Sequence, residues 1–218
     1  MNRIIQGIQQ FQNEVFPKQR ELFQRLAAGQ SPEALFVSCS DSRVSPEMIT
    51  QTAPGDLFVC RNAGNIVPSY GLADAVSASI EYAVSQLPIQ DIVVCGHTDC
   101  GAMKGLLHPE VLEEMPHVKM WLTHSEGARR AMNSDRRGGL VMDPLAMLTR
   151  LNVRLQLEHL GSHPEVFAGM QQGRLRLHGW VYQIESGAIE AWDGEQQRWT
   201  ALNSANALFP GRLQAGAA

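Results

Sequence analysis

No run in this chain approaches the roughly 20 consecutive apolar residues that a membrane-spanning helix requires, so no membrane partner is expected. A basic excess is missing as well. The formal net charge is −4, whereas a nucleic-acid partner would ask for a positive face, and none is expected. The nearest approach, Arg129-Arg130 and Arg136-Arg137, sits in a polar stretch with Asn133, Ser134 and two glycines and reads as a solvated loop. No two glycines are separated by a single residue, which excludes the G-x-G-x-x-G fingerprint. There is no Gly-Lys pair for a P-loop and no G-x-S-x-G elbow. Gln6, Gln9 and Gln10 interrupt the opening stretch, so a cleaved signal peptide is not expected. Internal repeats and low-complexity tracts are absent too. Cysteines number four, and in a chain with no sign of export they read as metal ligands or buried thiols rather than disulfides. A cytoplasmic location follows as the expectation.

Two short clusters stand out against these absences: Cys39-Ser40-Asp41-Ser42-Arg43 and Gly96-His97-Thr98-Asp99-Cys100-Gly101. Together they offer two thiolates, an imidazole and a carboxylate, a donor set that suits Zn²⁺ better than Mg²⁺ or Ca²⁺. Each follows an apolar, β-rich run, Leu35-Phe36-Val37 and Ile92-Val93-Val94. Neighbouring parallel strands would deliver the ligands to one end of a sheet, where open α/β sheets place their chemistry. Arg43, two residues after Asp41, competes for its carboxylate. Cys39, His97 and Cys100 are then the firm ligands and the fourth position is exchangeable, as in a catalytic zinc site.

The rest of the chain reads as α/β. Ile4, Ile8, Phe11 and Val15 recur at helical spacing, and a second short helix runs through Leu22, Phe23 and Leu26 toward Gly29. Strands are expected at Leu35–Ser38, Leu57–Cys60, Ile92–Cys95 and Leu175–Ile184, with Ala188–Trp192 as an antiparallel edge partner. Helices are expected after Ser45-Pro46, from about Leu72 to Gln86, from Gly101 to Leu107, and over 116–132 and 143–160. The fold class is a central, mainly parallel sheet of four strands plus one antiparallel edge strand, helices on both faces. At 218 residues one domain suffices. It divides into a helical arm (1–29), a core (30–193) and a C-terminal extension (194–218). The stretch Asp135 to Gly139 reads as a mobile loop and 211–218 as frayed.

The paired C-x-D-x-R and H-x-x-C pattern resembles the β-class carbonic anhydrases. So do Gln30-Ser31-Pro32, Pro54-Gly55-Asp56-Leu57-Phe58, Arg61-Asn62-Ala63-Gly64-Asn65, Ile80-Glu81-Tyr82-Ala83 and His178-Gly179-Trp180-Val181-Tyr182. The resemblance covers about Gln30 to Asp193. It implies a zinc lyase with one Zn²⁺ per subunit, hydrating CO₂ reversibly to bicarbonate and a proton by attack of a zinc-bound hydroxide. It further implies that Asp41 and Arg43 act as a catalytic pair. Gln30, Phe58, Tyr82 and Gly101 surround CO₂ or bicarbonate, some across a subunit interface. The N-terminal helices embrace a partner in a homodimer or homotetramer. Some members of the family close the site by swinging the carboxylate, here Asp41, onto the metal, and these often carry a Trp-Arg-Tyr bicarbonate pocket. Arg61 and Tyr182 match that pocket but the Trp position is Phe36, which has no N–H donor. The resemblance is therefore to the open, plant-like pattern, with Asp41 a ligand only in a closed state.

Taken alone, the remaining candidates read plainly. Cys60 and Cys95 pack as small hydrophobes, His178 is a hydrogen-bonded strand histidine, and His108, His117, His124, His159 and His163 lie on helix surfaces or ends. Two other activities stay open at this point. One is hydrolysis of a CO₂ analogue such as CS₂ or COS, the other a catalytically idle zinc protein serving assembly.

Overall fold

A computed structural model describes residues 1–71, 73–135 and 143–202. The chain divides into two compact units, Met1–Ser31 and Pro32–Ala218. In the first, helix α1 (Asn2–Gln10) runs into a wide π-type turn (Phe11–Val15), a 3-10 turn (Phe16–Gln19) and helix α2 (Arg20–Ala27). The expected single helix through Val15 is interrupted because Pro17 has no N–H to continue the ladder. Phe23 meets Phe11 and Phe16 at centroid distances of 5.6 and 5.2 Å. Helix α1 buries none of its residues.

The second unit holds a six-stranded sheet in the order β2-β1-β3-β4-β5-β6. Strands β1 (Ala34–Cys39), β2 (Leu57–Asn62), β3 (Asp91–His97) and β4 (Arg176–Tyr182) are parallel. Strands β5 (Ile189–Asp193) and β6 (Arg198–Ala201) add an antiparallel end. The α/β class, the four parallel strands and antiparallel β5 are as expected from the sequence. The edge strand is β6 rather than β5. Its four residues are too short to show an alternating pattern, but Asp193-Gly194 carried a hairpin signal. Asp193 Oδ1 accepts from the N–H groups of Glu195 and Gln196 at 3.0 and 2.9 Å, closing that turn.

Parallel neighbours need crossovers, and the helices supply them. They are α3 (Pro46–Thr50), α4 (Ala75–Gln86), α5 (Gly101–Leu107), α6 (Pro116–Trp121), α7 (Glu126–Asp135), α8 (Pro144–Gly161) and α9 (Pro164–Gln171). Helix α4 starts at Ala75 because Asp74 caps it, accepting from Val76 and Ser77 N–H at 2.8 and 3.1 Å. The helix expected over 116–132 is broken by a 3-10 turn at Leu122–Ser125, where the Thr123 hydroxyl donates to the Met120 carbonyl at 2.6 Å. Helix α9 was not anticipated; Pro164 at its first turn is the signal that marks it. Residues 136–139 of the expected loop and the whole of 211–218 lie outside the described residues.

Strand β1 is buried along nearly its whole length, as a central parallel strand must be. Leu35 and Val37 join Ile92, Val94, Ile80 and Val153 in the main core, while Phe36 packs with Val93 and Cys95 on the opposite face. Helix α8 approaches the sheet where it has no side chain. A Cβ on Gly96 would meet Val153 Cγ2 at 2.8 Å, and one on Gly179 would meet Leu157 and Val153 at 2.9 Å. This close approach sets α8 directly behind the ends of β3 and β4. No described helix is long and apolar enough to cross a membrane.

Candidate metal centre

The register of β1 against β3 pairs Ser38 with Cys95, so both strands end side by side. Cys39 closes β1 and His97 closes β3. The chain then turns through Asp99, at φ 60°, a left-handed conformation that Asp tolerates. That turn returns Cys100 to the site as the residue before α5. Among the described residues, Cys39, His97 and Cys100 form the one group of three Cys, His, Asp or Glu side chains whose ligand atoms lie within 4.8 Å of one another.

These atoms fit a tetrahedral zinc. Two sulfurs bound to one Zn²⁺ at tetrahedral angles lie roughly 3.8 Å apart, and the Cys39 and Cys100 Sγ atoms are 4.0 Å apart. His97 Nδ1 donates to the Thr98 carbonyl at 2.8 Å, which leaves the lone pair on Nε2. That Nε2 is buried without a hydrogen-bond partner. An orphaned acceptor beside two thiols is costly unless a cation sits between them.

Asp41 and Arg43 stand at the rim. Arg43 Nε donates to Asp41 Oδ1 at 3.0 Å and Nη2 to Oδ2 at 2.8 Å, a fork on both carboxylate oxygens. Asp41 Oδ2 lies 4.0 Å from His97 Nε2. The Arg43 fork holds the Asp41 carboxyl well below the usual carboxylate range. The two thiols split. The Cys100 S–H pulls the Cys39 thiol down, helped by the Gly64 N–H, while the Cys39 thiolate and burial push Cys100 up.

The model of the carbonic anhydrase family matches residues 34–189, most of the chain. The chain belongs to that family. A carbonic anhydrase of Pseudomonas aeruginosa is 52% identical over 203 residues, 93% of this chain and 92% of the relative. The structure of the β-carbonic anhydrase CcaA superposes with a TM-score of 0.91 at 42% identity, covering 97% of this chain and 94% of that one. A structure from the two tetrameric β-carbonic anhydrases of Sordaria macrospora gives 0.71 at 30%, over 92% and 95%. The chain is thus a carbonic anhydrase of the β type.

Not every residue implied by the resemblance gathers at the Cys39–His97–Cys100 cluster. Phe58 pairs with Leu35 in register, four residues short of Cys39, or roughly 13 Å along the strand. It stacks instead on Tyr82, at 5.9 Å between centroids, and Tyr82 is 46% exposed. Gln30 is exposed and belongs to the first unit. Gly101 follows Cys100 directly, at the first position of α5.

Further contacts surround the candidate centre, from Asp99, Arg61 and Gly64, which stand within the quoted motifs, and from Lys104, which does not. Arg43 Nη1 donates to Asp99 Oδ2 at 2.9 Å and Nη2 to the Asp99 carbonyl at 3.2 Å. Lys104 pairs with the same Asp99 carboxylate, and Lys104 and Arg43 together lower its pKa. Asp99, a charge between two ligands in H-x-x-C, was the available signal. Arg61 donates to the carbonyls of Cys39 and Asp41 at 3.1 and 2.8 Å, holding the ligand loop from β2. The Gly64 N–H reaches Cys39 Sγ at 3.4 Å.

The other sulfurs and histidines stay outside the centre. Burial pushes the Cys95 thiol up to about 12, and the half-buried Cys60 thiol rises for the same reason. His178 Nε2 is 2.7 Å from Asp91 Oδ1, a structural bond as expected. His163 precedes α9, a helix end as read from the sequence, yet it is buried and 3.0 Å from the Pro68 carbonyl.

Proposed function

We propose that the chain hydrates CO₂ reversibly to bicarbonate and a proton, with one Zn²⁺ per subunit held by Cys39, His97 and Cys100. The observation that carries this reading is the buried His97 Nε2, unpartnered and facing two thiols 4.0 Å apart. When bound, Zn²⁺ supplies a Lewis acid that lowers the pKa of water from 15.7 toward about 7. Two thiolates cancel the formal charge of the ion, so that acidification is weaker than with three neutral imidazoles.

The protein groups do the positioning. The Thr98 carbonyl fixes the His97 ring, so its Nε2 lone pair points into the site. Asp41, kept ionised by Arg43, can only accept a hydrogen bond. At Oδ2 it accepts a hydrogen bond from the O–H that the attacking oxygen keeps, which turns that oxygen's lone pair toward the CO₂ carbon. The other O–H bond of the water breaks and gives its proton to solvent, and the new carbon–oxygen bond forms as one C=O π pair moves onto oxygen, leaving bicarbonate. The Gly101 N–H offers a donor to the bicarbonate product.

CO₂ needs an apolar wall. Phe58 lies too far along the sheet to provide it for the same chain and packs on Tyr82 of α4, so a partner subunit contributes both, and the family resemblance puts Gln30 beside them. The smallest active unit in this reading is a homodimer, and the likeness to tetrameric relatives favours a dimer of dimers. The exposed apolar side chains of α1 suit such an interface. Four free cysteines suit a reducing compartment, and the cytoplasm is the proposed location.

Metal analysis combined with stopped-flow CO₂ hydration tests the proposal. One zinc per chain and turnover proportional to zinc content are expected. A zinc-replete, folded protein without CO₂ hydration would sink it, as would full turnover after chelation.

A further inference from the structure

Helix α8 buries two polar side chains on successive turns, Asn152 and Gln156, against the segment that feeds the metal centre. Asn152 and Gln156 are 1% and 0% exposed, and Ser125, from the turn before α7, is 0% exposed. Asn152 Oδ1 accepts from Ser125 Oγ at 2.7 Å and from Gln156 Nε2 at 2.8 Å. With both acceptor sites filled, the Asn152 amide has a fixed orientation, and its Nδ2 donates to the Gly64 carbonyl at 3.1 Å. Gln156 Oε1 accepts the Val67 N–H at 2.9 Å, and one turn later His159 Nδ1 lies 2.7 Å from the Val67 carbonyl. Residues 64–67 are therefore gripped from α8.

The gripped segment touches the ligand. Gly64 presents its N–H to Cys39 Sγ while its carbonyl is held by Asn152. Its φ of +85° belongs to glycine, and a Cβ there would meet Ala102 Cβ at 3.0 Å. The Gly64 backbone thus has one allowed placement, and Asn152 pins it.

Apolar residues of similar shape would hold α8 in the core about as well, since a paired buried hydrogen bond adds little net stability. What an apolar helix face could not supply is a fixed amide aimed at a thiolate. We infer that Asn152, locked by Ser125 and Gln156, is a positioning residue for the metal centre. It acts through the Gly64 N–H on the Cys39 sulfur and raises zinc affinity. This inference rests on the zinc reading above. Such outer-shell partners contribute about 10–100-fold in metal affinity.

Asn152→Asp keeps both acceptor contacts and sets an oxygen against the Gly64 carbonyl. Zinc affinity is measured by chelator competition, and the sulfur-to-metal charge-transfer band is read in the cobalt-substituted protein. The expected result is at least about tenfold weaker zinc binding and a shifted band, with cooperative unfolding retained. Leu160→Ala opens a cavity further along α8 and should lower Tm while leaving both metal readouts at wild type. A folded Asn152→Asp protein with wild-type affinity and band overturns the inference, and so does a Leu160→Ala protein that shifts both equally. If Asn152→Asp does not fold, Ser125→Ala decides, because it removes one of the two locks on the amide. It should weaken zinc binding and move the band, and wild-type values there overturn the inference. A wild-type chain that binds neither zinc nor cobalt removes the metal reading itself, a result distinct from any of these.

Discussion

Arg43 holds Asp41 by both carboxylate oxygens, at 3.0 and 2.8 Å, and with its remaining Nη1 reaches across to Asp99 between the two ligands of the second motif. One guanidinium thereby joins the loop after β1 to the loop after β3. A planar fork can do this; a lysine ammonium, a point charge, cannot.

Arg43→Lys should therefore keep its zinc, since no ligand changes, and lose at least about tenfold in kcat/KM, which corresponds to ~1.4 kcal/mol of transition-state stabilisation. Asp41→Asn should fall further, because an amide can turn its donor toward the attacking oxygen. Zinc content and stopped-flow hydration on the same samples separate the two effects. Wild-type turnover in Arg43→Lys would show that the fork orients nothing of consequence.

The cysteines divide two and two. Cys39→Ser or Cys100→Ser replaces a thiolate with a neutral hydroxyl and should lose zinc and nearly all activity. Cys95, fully buried beside Phe36 and Val93 and with its thiol held protonated by burial, should behave differently. Cys95→Ser should retain metal yet cost about 1–3 kcal/mol, the price of a buried hydroxyl. Cys60→Ser, at a half-buried position, should also retain metal and cost less. Metal analysis and thermal unfolding of the four variants check this. A zinc-replete, active Cys100→Ser protein would reassign the site.

The clustering of Cys39, His97 and Cys100 was legible because the information is local. Each sits within a few residues of a β-rich run, and parallel pairing forces the two strand ends together. Asp99 and Lys104 were not read, because exposed charges near a motif look like solvated surface. Asn152 and Gln156 were hidden for a related reason. In a helix they pass for outward-facing polar residues, and only the packing of α8 onto Gly96 and Gly179 turns that face inward. Strand β6 escaped because four residues carry no period, and the π-type turn at Phe11–Val15 escaped because the apolar spacing from Ile4 to Val15 continues through it.

The N-terminal stripe is the next test. Ile4, Ile8, Phe11 and Val15 are 62, 52, 41 and 37% exposed. Apolar side chains repeated on one helix face ask for a cover. Deleting residues 1–16 should weaken self-association in sedimentation experiments and lower CO₂ hydration in step, with added protein concentration restoring part of both. A truncated chain that sediments and turns over like the full one would show that the stripe joins no subunits.

At the opposite end of the sheet from the metal centre, Asp91 gives the protein a pH dependence that can be isolated. Burial alone would raise its pKa, but hydrogen bonds from His178 and Arg176 outweigh that and hold it at about 2. His178 Nε2 lies 2.7 Å from Oδ1, and Arg176 donates to Oδ1 at 2.7 Å and to Oδ2 at 2.6 Å. In the unfolded chain an aspartate titrates near 3.9. A carboxylate whose folded pKa is depressed stabilises the fold above the unfolded value and loses that contribution as pH falls through the folded one. The contribution is thus complete above about pH 5 and fades between about pH 4 and pH 2. Partial exposure of Asp91 limits it to roughly 1–2 kcal/mol. Asp91→Asn should therefore be less stable than wild type by about that amount at pH 7, with the gap closing as pH falls toward 2. Denaturant titrations of both proteins at matched concentration from pH 7 downward measure the difference directly. A gap that stays constant down to pH 2.5 would mean that the substitution costs stability for packing or hydrogen-bonding reasons and that Asp91 carries no linked proton.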